Sequence, residues 1–233
     1  MSDILLNQPA NRQGIVGVLL AAGSSSRFGT PKLLHPLDDG TRLGVKSALN
    51  LIEALPWAVA VVSPQRPLLK SLLEAAGLQV LTCASAELGM GESLAYAVRH
   101  TPHAAGWVVA LADMPFIQPN TIKQVMRRLA GGSALAVPTY EGRRGHPVGF
   151  ASYYYNQLAE LSGDEGARAI IERDATPAQF VPVRDAGIHI DIDTLDDLAR
   201  HDASGALMRN GLWKPERTLT ERNARQHSGG YVR

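Results

Sequence analysis

One cysteine, Cys83, stands in a chain of 233 residues. It has no partner for an internal disulfide, and no thiolate cluster for zinc can be built. A reducing cytoplasm is the expected location. An excess of one charge is also lacking: 23 Lys and Arg stand against 22 Asp and Glu, for a formal net charge of +1. No broad basic surface for nucleic acid is therefore expected. No apolar run approaches the length of a membrane span, so no membrane partner is expected. The opening residues MSDILLNQPANRQG carry neither a basic n-region nor a long apolar run and do not read as a secretory signal. Internal repeats and low-complexity segments are missing too. What remains, 45% hydrophobic and 19% charged, is the composition of a globular domain long enough for one sizeable α/β core.

The runs Ile15 to Leu20, Ala58 to Val62, Leu78 to Leu81, Trp107 to Leu111 and Ala134 to Val137 read as strands. Between them Leu43 to Leu55, Pro67 to Ala76, Glu92 to His100 and Asn120 to Leu129 have helical spacing. Continuous apolar strands alternating with helices imply a mainly parallel sheet covered on both faces. That is a three-layer α/β/α sandwich. After Pro138 the rhythm changes, and TYEGRRGHPVGF reads as a loop or hairpin. Short helices are expected around Tyr153 to Leu161 and Glu165 to Arg173, a last strand over Ile188 to Ile192, and a helix over Leu195 to His201. Residues 1–13 then form an N-terminal extension, 14–201 one domain, and 202–233 a polar, basic tail. That tail is either solvated or packed on a neighbouring subunit.

The stretch Leu20 to Lys32, LAAGSSSRFGTPK, holds more small and positive residues than a connection needs. Two phosphate-loop patterns fail on it. The P-loop needs lysine after its second glycine, but Thr30 follows Gly29; the dinucleotide pattern needs G-x-G, but three serines follow Gly23. The physics of an anion site remains. Ligands collect at the carboxyl ends of parallel strands. Gly23 lets backbone N–H groups approach phosphate oxygens. Arg27 and Lys32 add two charges, and arginine can hold phosphate with two parallel hydrogen bonds. From composition alone, an exposed loop with incidental charges stands equally open.

This stretch resembles the signature loop L-A-A-G-x-S-x-R-M-G-x-x-K of the MobA-like nucleotidyltransferases, with Phe28 in the methionine position. The resemblance runs from about Val16 to Leu198. It implies a Rossmann-like, GT-A-like nucleotidyltransferase fold, with residues 14–201 as the catalytic domain. It also implies nucleotide contacts from Leu20, Ala21, Ala22, Gly23, Arg27 and Lys32, with Arg27 and Lys32 stabilising the departing pyrophosphate.

Asp113, in LADMPFI, follows the Trp107 strand, where a carboxylate points into the ligand crevice. Alone, Asp-x-Pro after a strand reads as a turn or helix cap. Beside a triphosphate loop it reads as a Mg²⁺ ligand, as the family's L-x-D-x-P segment also implies. A second acidic cluster is HIDIDTLDDL, His189 to Leu198. On a strand there, His189, Asp191 and Asp193 share one face, and two carboxylates on one face call for a cation. Asp191 is the favoured metal ligand. Asp193 is a second ligand, or else it or Thr194 caps the following helix. The segment resembles the family's closing D-I-D-T-P-E-D-L, with Leu195 in place of proline. Mg²⁺ is the expected ion, with Mn²⁺ as a substitute.

Ser93, in ELGMGESLAYAV, resembles a polar contact near the nucleobase and ribose; an ordinary helix cap is the alternative. EGRRGHPVGF gathers Arg143, Arg144 and His146, and SGDEGARAII brings Asp164 and Arg168. Taken singly, these read as a solvated basic loop and an acidic helix start. In this order they resemble the G-x-x-G-H-P and G-D-x-G-A-R segments of the molybdenum cofactor cytidylyltransferases, near the acceptor pterin. Relatives that add GMP read L-A-G-G, whereas those that add CMP read A-A-G, as here. The resemblance therefore implies transfer of CMP from CTP to molybdenum-bearing molybdopterin, with delivery to a molybdenum hydroxylase. A phosphate monoester is already ionised near neutral pH, so no proton-transfer role falls to His146. The alternatives are a guanylyltransferase using GTP, a transferase for another phosphorylated acceptor, and a non-catalytic cofactor carrier. A carrier has no need of Arg27, Lys32, Asp113 and Asp191 together.

Overall fold

The computed structural model describes residues 14–23, 28, 31–164, 166–174 and 179–201. The expected extension over 1–13, the tail over 202–233, and Arg27 lie outside the described residues. Strand β1 (Ile15–Leu20), aliphatic except at Gly17, lies inside the sheet where both faces are covered. It pairs in parallel with β2 (Ala58–Val62) on one side and β4 (Gly106–Leu111) on the other, and β2 pairs in parallel with β3 (Gln79–Thr82). The register sets Leu20 level with Val61 and with Leu111. The carboxyl ends of these central strands therefore finish together.

Beyond β4 the sheet becomes mixed. Strand β5 (Leu135–Tyr140) turns at Glu141 and Gly142, both with positive φ, into β6 (Arg143–Arg144). The chain then returns as β7 (Val148–Ala151), antiparallel between β4 and β5. The segment read as a loop or hairpin thus supplies an inner strand. Strand β8 (Phe180–Pro182) pairs in parallel with β5.

Side chains alternate across the sheet, as strand geometry requires. Leu19, Ala60, Val62 and Val108 pack with α1 (Leu43–Ala54), α2 (Pro67–Ala75) and α4 (Pro119–Ala130). Val16, Val18, Val59 and Trp107 pack with α3 (Met90–Arg99), α5 (Tyr155–Ala159) and α6 (Arg168–Asp174). Two cores back to back make the expected three layers. No helix among the described residues is long and apolar enough to cross a membrane.

The strand expected over 188–192 does not form. Ala186–His189 is a 3-10 turn, and residues 190–193 run on outside the sheet. The buried Asp185 carboxylate explains this. It accepts from the Gln118 N–H at 2.9 Å, the Thr121 hydroxyl at 2.6 Å and the Gly187 N–H at 3.0 Å. These local bonds tighten the turn and pin it to the start of α4. The Ile192 N–H then donates to the Asp113 carbonyl at 3.0 Å, which lays the acidic segment along the end of β4.

Candidate active site

The ends of β1, β2 and β4 open into a cavity of about 700 Å³. Leu20, Ala21, Ala22 and Gly23 contribute to its wall, as do Lys32, Ser93, Asp113 and Asp193. Lys32 is buried in a short 3-10 turn, Lys32–Leu34. Its Nζ donates to Asp113 Oδ2 and to Asp193 Oδ1, each at 3.0 Å. Burial works against charge on this ammonium. The Asp113 carboxylate and the hydrogen bonds to Asp193 and Asp113 outweigh it and hold the Lys32 pKa above its ordinary value. Two acids distant in sequence therefore converge on one positive charge.

That geometry corrects the expected order of the late acids. Asp191 is exposed and lines neither this cavity nor the one beside it, whereas Asp193 meets Lys32. The shared strand face on which Asp191 was favoured does not exist. Thr194 caps residues 195–201: its Oγ1 accepts from the Asp197 N–H at 3.1 Å, and Asp197 Oδ2 accepts from the Thr194 N–H at 2.9 Å. The hydrogen bond from the Thr194 hydroxyl, aided by backbone donors, holds the Asp197 carboxyl below its ordinary value.

Asp113 and Asp193 suit a hard divalent cation, because two carboxylates already share one positive charge between them. Among the described residues no group of three or more His, Cys, Asp or Glu gathers in metal-holding geometry. A divalent ion held by Asp113 and Asp193 would complete its shell with phosphate oxygens and water, a common arrangement for Mg²⁺.

Ser63, Gln65 and Arg66, just after β2, also line the cavity and were not singled out from sequence. Their position at the end of a parallel strand was the available signal. Arg66 Nη2 donates to the Gly23 carbonyl at 2.7 Å, tying the β2 loop to the glycine loop. Burial lowers the Arg66 pKa from its ordinary value. Asp185 offered no comparable signal, since Gln118 and Thr121 lie far off in the chain.

A second cavity of about 870 Å³ shares Leu20, Met90, Leu111 and Asp164 with the first. Arg144, His146 and Arg168 also line it. Arg143 does not; its carbonyl lies 3.2 Å from His189 Nε2. Arg168 is exposed and pairs with Glu172 at 2.7 Å. The Asp164 segment is seated by a close approach at Gly89, where φ is +132° and a Cβ would lie 2.2 Å from the Gly163 carbonyl carbon. Next to it, the Gly91 N–H donates to the Gly163 carbonyl at 2.8 Å. The loop opening α3 and the loop carrying Asp164 are therefore packed directly against each other.

Comparison with known proteins gives a consistent picture. A family model described as the MobA-like NTP transferase domain matches residues 17–178. The purine catabolism protein PucB of Bacillus subtilis is 30% identical over 195 residues, spanning 78% of this chain and 93% of that protein. The molybdenum cofactor guanylyltransferase of Cupriavidus pinatubonensis is 29% identical over 201 residues, spanning 82% of this chain and 98% of that protein. Among solved structures, Rv0371c of Mycobacterium tuberculosis is 28% identical with a TM-score of 0.70, covering 82% of this chain and 98% of that one. A second structure of that protein, in complex with manganese, matches with a TM-score of 0.66, covering 82% of this chain and 99% of that one.

Proposed function

The chain belongs to the MobA-like NTP transferase family, and from that premise we propose that it transfers a nucleoside monophosphate to a phosphorylated acceptor of the molybdenum cofactor type. The observation that carries this reading is the meeting of Lys32, Asp113 and Asp193 in the cavity that opens with Leu20-Ala21-Ala22-Gly23. The nucleotide occupies that cavity, and the acceptor occupies the adjoining one. An oxygen of the acceptor phosphate attacks the α-phosphorus. The new O–P bond forms as the bond from the α-phosphorus to its bridging oxygen breaks, and the electron pair leaves with pyrophosphate. Gly23 gives the phosphates close access to backbone N–H groups, and Arg66 holds the Gly23 carbonyl in place. Lys32 meets the charge that builds on the leaving group, and Arg27 shares that task by its place in the motif. A divalent ion, Mg²⁺ or the manganese seen with the mycobacterial relative, would be held by Asp113 and Asp193 and would offset repulsion among the phosphates. No base is required, so positioning and electrostatics do the work.

Two nucleotides have a specific observation behind them. The guanylyltransferase relative favours GTP. Ala22, buried and lining the nucleotide cavity, favours CTP, because its methyl group stands where GMP-adding relatives have glycine. The deciding measurement is competition between CTP and GTP at equal concentration, with pyrophosphate release and the dinucleotide products quantified. Mainly cytosine product supports CTP, and Ala22→Gly then shifts the ratio toward guanine by about tenfold. Mainly guanine product from the wild-type chain overturns CTP in favour of GTP. Delivery of the product to a molybdenum hydroxylase rests on the resemblance of the acceptor motifs.

A further inference from the structure

Asp113 sits in the loop between β4 and α4, and that loop is gripped from two sides. On one side stands α1. Its residues Ser47 and Asn50, three apart and so on one face of the helix, both reach the loop. Ser47 Oγ donates to the Ala112 carbonyl at 2.9 Å. Asn50 Nδ2 donates to the Pro115 carbonyl at 2.9 Å and to the Ile117 carbonyl at 3.0 Å. The start of the same helix carries the Lys32 turn. The Leu43 N–H donates to the His35 carbonyl at 2.9 Å, and a Cβ at Gly44 would stand 3.1 Å from Leu33 Cβ. Helix α1 therefore holds both the Lys32 turn and the Asp113 loop.

On the other side stands Asp185. One of its oxygens, Oδ2, accepts from the Gln118 N–H and the Thr121 hydroxyl, at the end of the loop and the start of α4. The other, Oδ1, accepts from the Gly187 N–H, at the start of the run that leads to Asp193. Gly187 presses on the same loop, since a Cβ there would stand 2.2 Å from the Phe116 carbonyl oxygen. Further along, the Ile192 N–H donates to the Asp113 carbonyl at 3.0 Å. The segment carrying Asp193 is thus tied to the Asp113 loop at its start and again beside Asp193 itself. A carboxylate is costly to bury, and an apolar side chain could close a turn without that cost. What the carboxylate adds is direction, with one oxygen committed to each of the two pieces it joins. Asn50 and Asp185 line neither cavity, so they act on the site only through the backbone they hold.

We propose that Asn50 and Asp185 are positioning residues for the reaction. Asn50 holds the Asp113 loop from the α1 side, and Asp185 fastens the segment carrying Asp193 to that same loop, so that the two carboxylates stand close enough to share one cation. This rests on the reading of Asp113 and Asp193 as the metal pair. Both carboxylates already meet Lys32 Nζ at 3.0 Å. A shift of either backbone would part them, and a binding constellation tolerates displacements of only about 0.5 Å.

The experiment titrates Mn²⁺ into the full chain without nucleotide and reads the free ion by electron paramagnetic resonance. Asp185→Asn, of equal size, turns an amide group toward N–H or O–H donors. Asn50→Leu removes both donors to the loop. Each should weaken Mn²⁺ binding by about tenfold. Thr121→Val removes one of the three bonds to Asp185 and should weaken binding less, whereas Thr121→Ser keeps the hydroxyl and should bind as the wild-type chain does. Circular dichroism shows that each variant is folded at the assay temperature; if Asp185→Asn is not, Thr121→Val takes its place. Combined variants separate positioning from a general loosening of the fold. With Asp193→Ala already made, Asp185→Asn has no ligand left to position and should cost no further affinity, and the same holds for Asn50→Leu on Asp113→Ala. Wild-type Mn²⁺ affinity in either folded single variant, or the full further loss in the combined ones, overturns the proposal and leaves the metal pair standing. No Mn²⁺ binding by the wild-type chain, or an affinity that neither Asp113→Ala nor Asp193→Ala changes, overturns the metal pair and the proposal with it.

Discussion

Lys32, in the smaller cavity, has two carboxylates at 3.0 Å; His146, in the larger cavity beside it, has a buried Nδ1 with no hydrogen-bond partner among the described residues. The contrast follows from charge. A full charge taken out of water is too unfavourable to leave alone, so Lys32 is neutralised by the chain's own acids in the resting state. A neutral ring nitrogen can be left unmet at far smaller expense, so the fold tolerates one at His146. A divalent ion entering between Asp113 and Asp193 would therefore have to compete with Lys32. Each of the following changes tests one side of that difference.

Asp113→Ala should have the largest effect. It removes one of the two carboxylates that would hold the ion, while Lys32 keeps Asp193. Turnover should fall by about 10²–10³, the usual loss when one strong electrostatic contact to a transition state goes. Pyrophosphate release gives the rate, and circular dichroism shows whether the fold persists. A folded variant within a factor of about two of the wild-type rate would mean that Asp113 holds no metal.

Lys32→Ala tests self-neutralisation directly. Without the ammonium, Asp113 and Asp193 lose the positive charge that both of them meet. Mn²⁺ affinity without nucleotide, read by electron paramagnetic resonance, should rise by about tenfold, since the competing charge is gone. Turnover should fall further than CTP affinity, because the lysine acts mainly as pyrophosphate departs. Unchanged Mn²⁺ affinity would show that Lys32 does not compete for the place of the ion.

Arg66→Ala should give the smallest effect. Arg66 is half-buried and holds the glycine loop through one bond to the Gly23 carbonyl. Loss of a hydrogen bond worth about 1 kcal/mol should raise the KM for the nucleotide roughly fivefold, with kcat and acceptor KM little changed. A fall in kcat with KM untouched would place Arg66 in the chemistry instead of in loop positioning.

The central strands were readable because their signal is local. Ile15 to Leu20 is aliphatic on both faces, and that alone requires cover on both sides of the sheet. Asp113 was readable for a similar reason: the end of a parallel strand is where ligands bind. The return strand β7 was harder to see. Its four residues follow a turn-rich stretch, and their place between β4 and β5 depends on pairing with strands far away in sequence. Arg168 and Arg144 were expected together with Arg143, yet the β5–β6 hairpin brings only Arg144 to the cavity. Adjacent residues on a strand point to opposite sides, so a run of two arginines cannot all serve one site.

By itself the sequence determined the layered α/β fold, the family loop from Leu20 to Lys32 and the presence of an acidic segment near Asp191 and Asp193. Apolar periodicity, glycine placement and motif spacing are properties of neighbouring residues. Only the tertiary structure decided which acid faces Lys32. That choice turns on Asp185, whose bonds to Gln118, Thr121 and Gly187 convert an apparent strand into a turn and set Asp193 beside Asp113. All four of those residues lie outside the acidic segment they position, so its local pattern could not report the outcome.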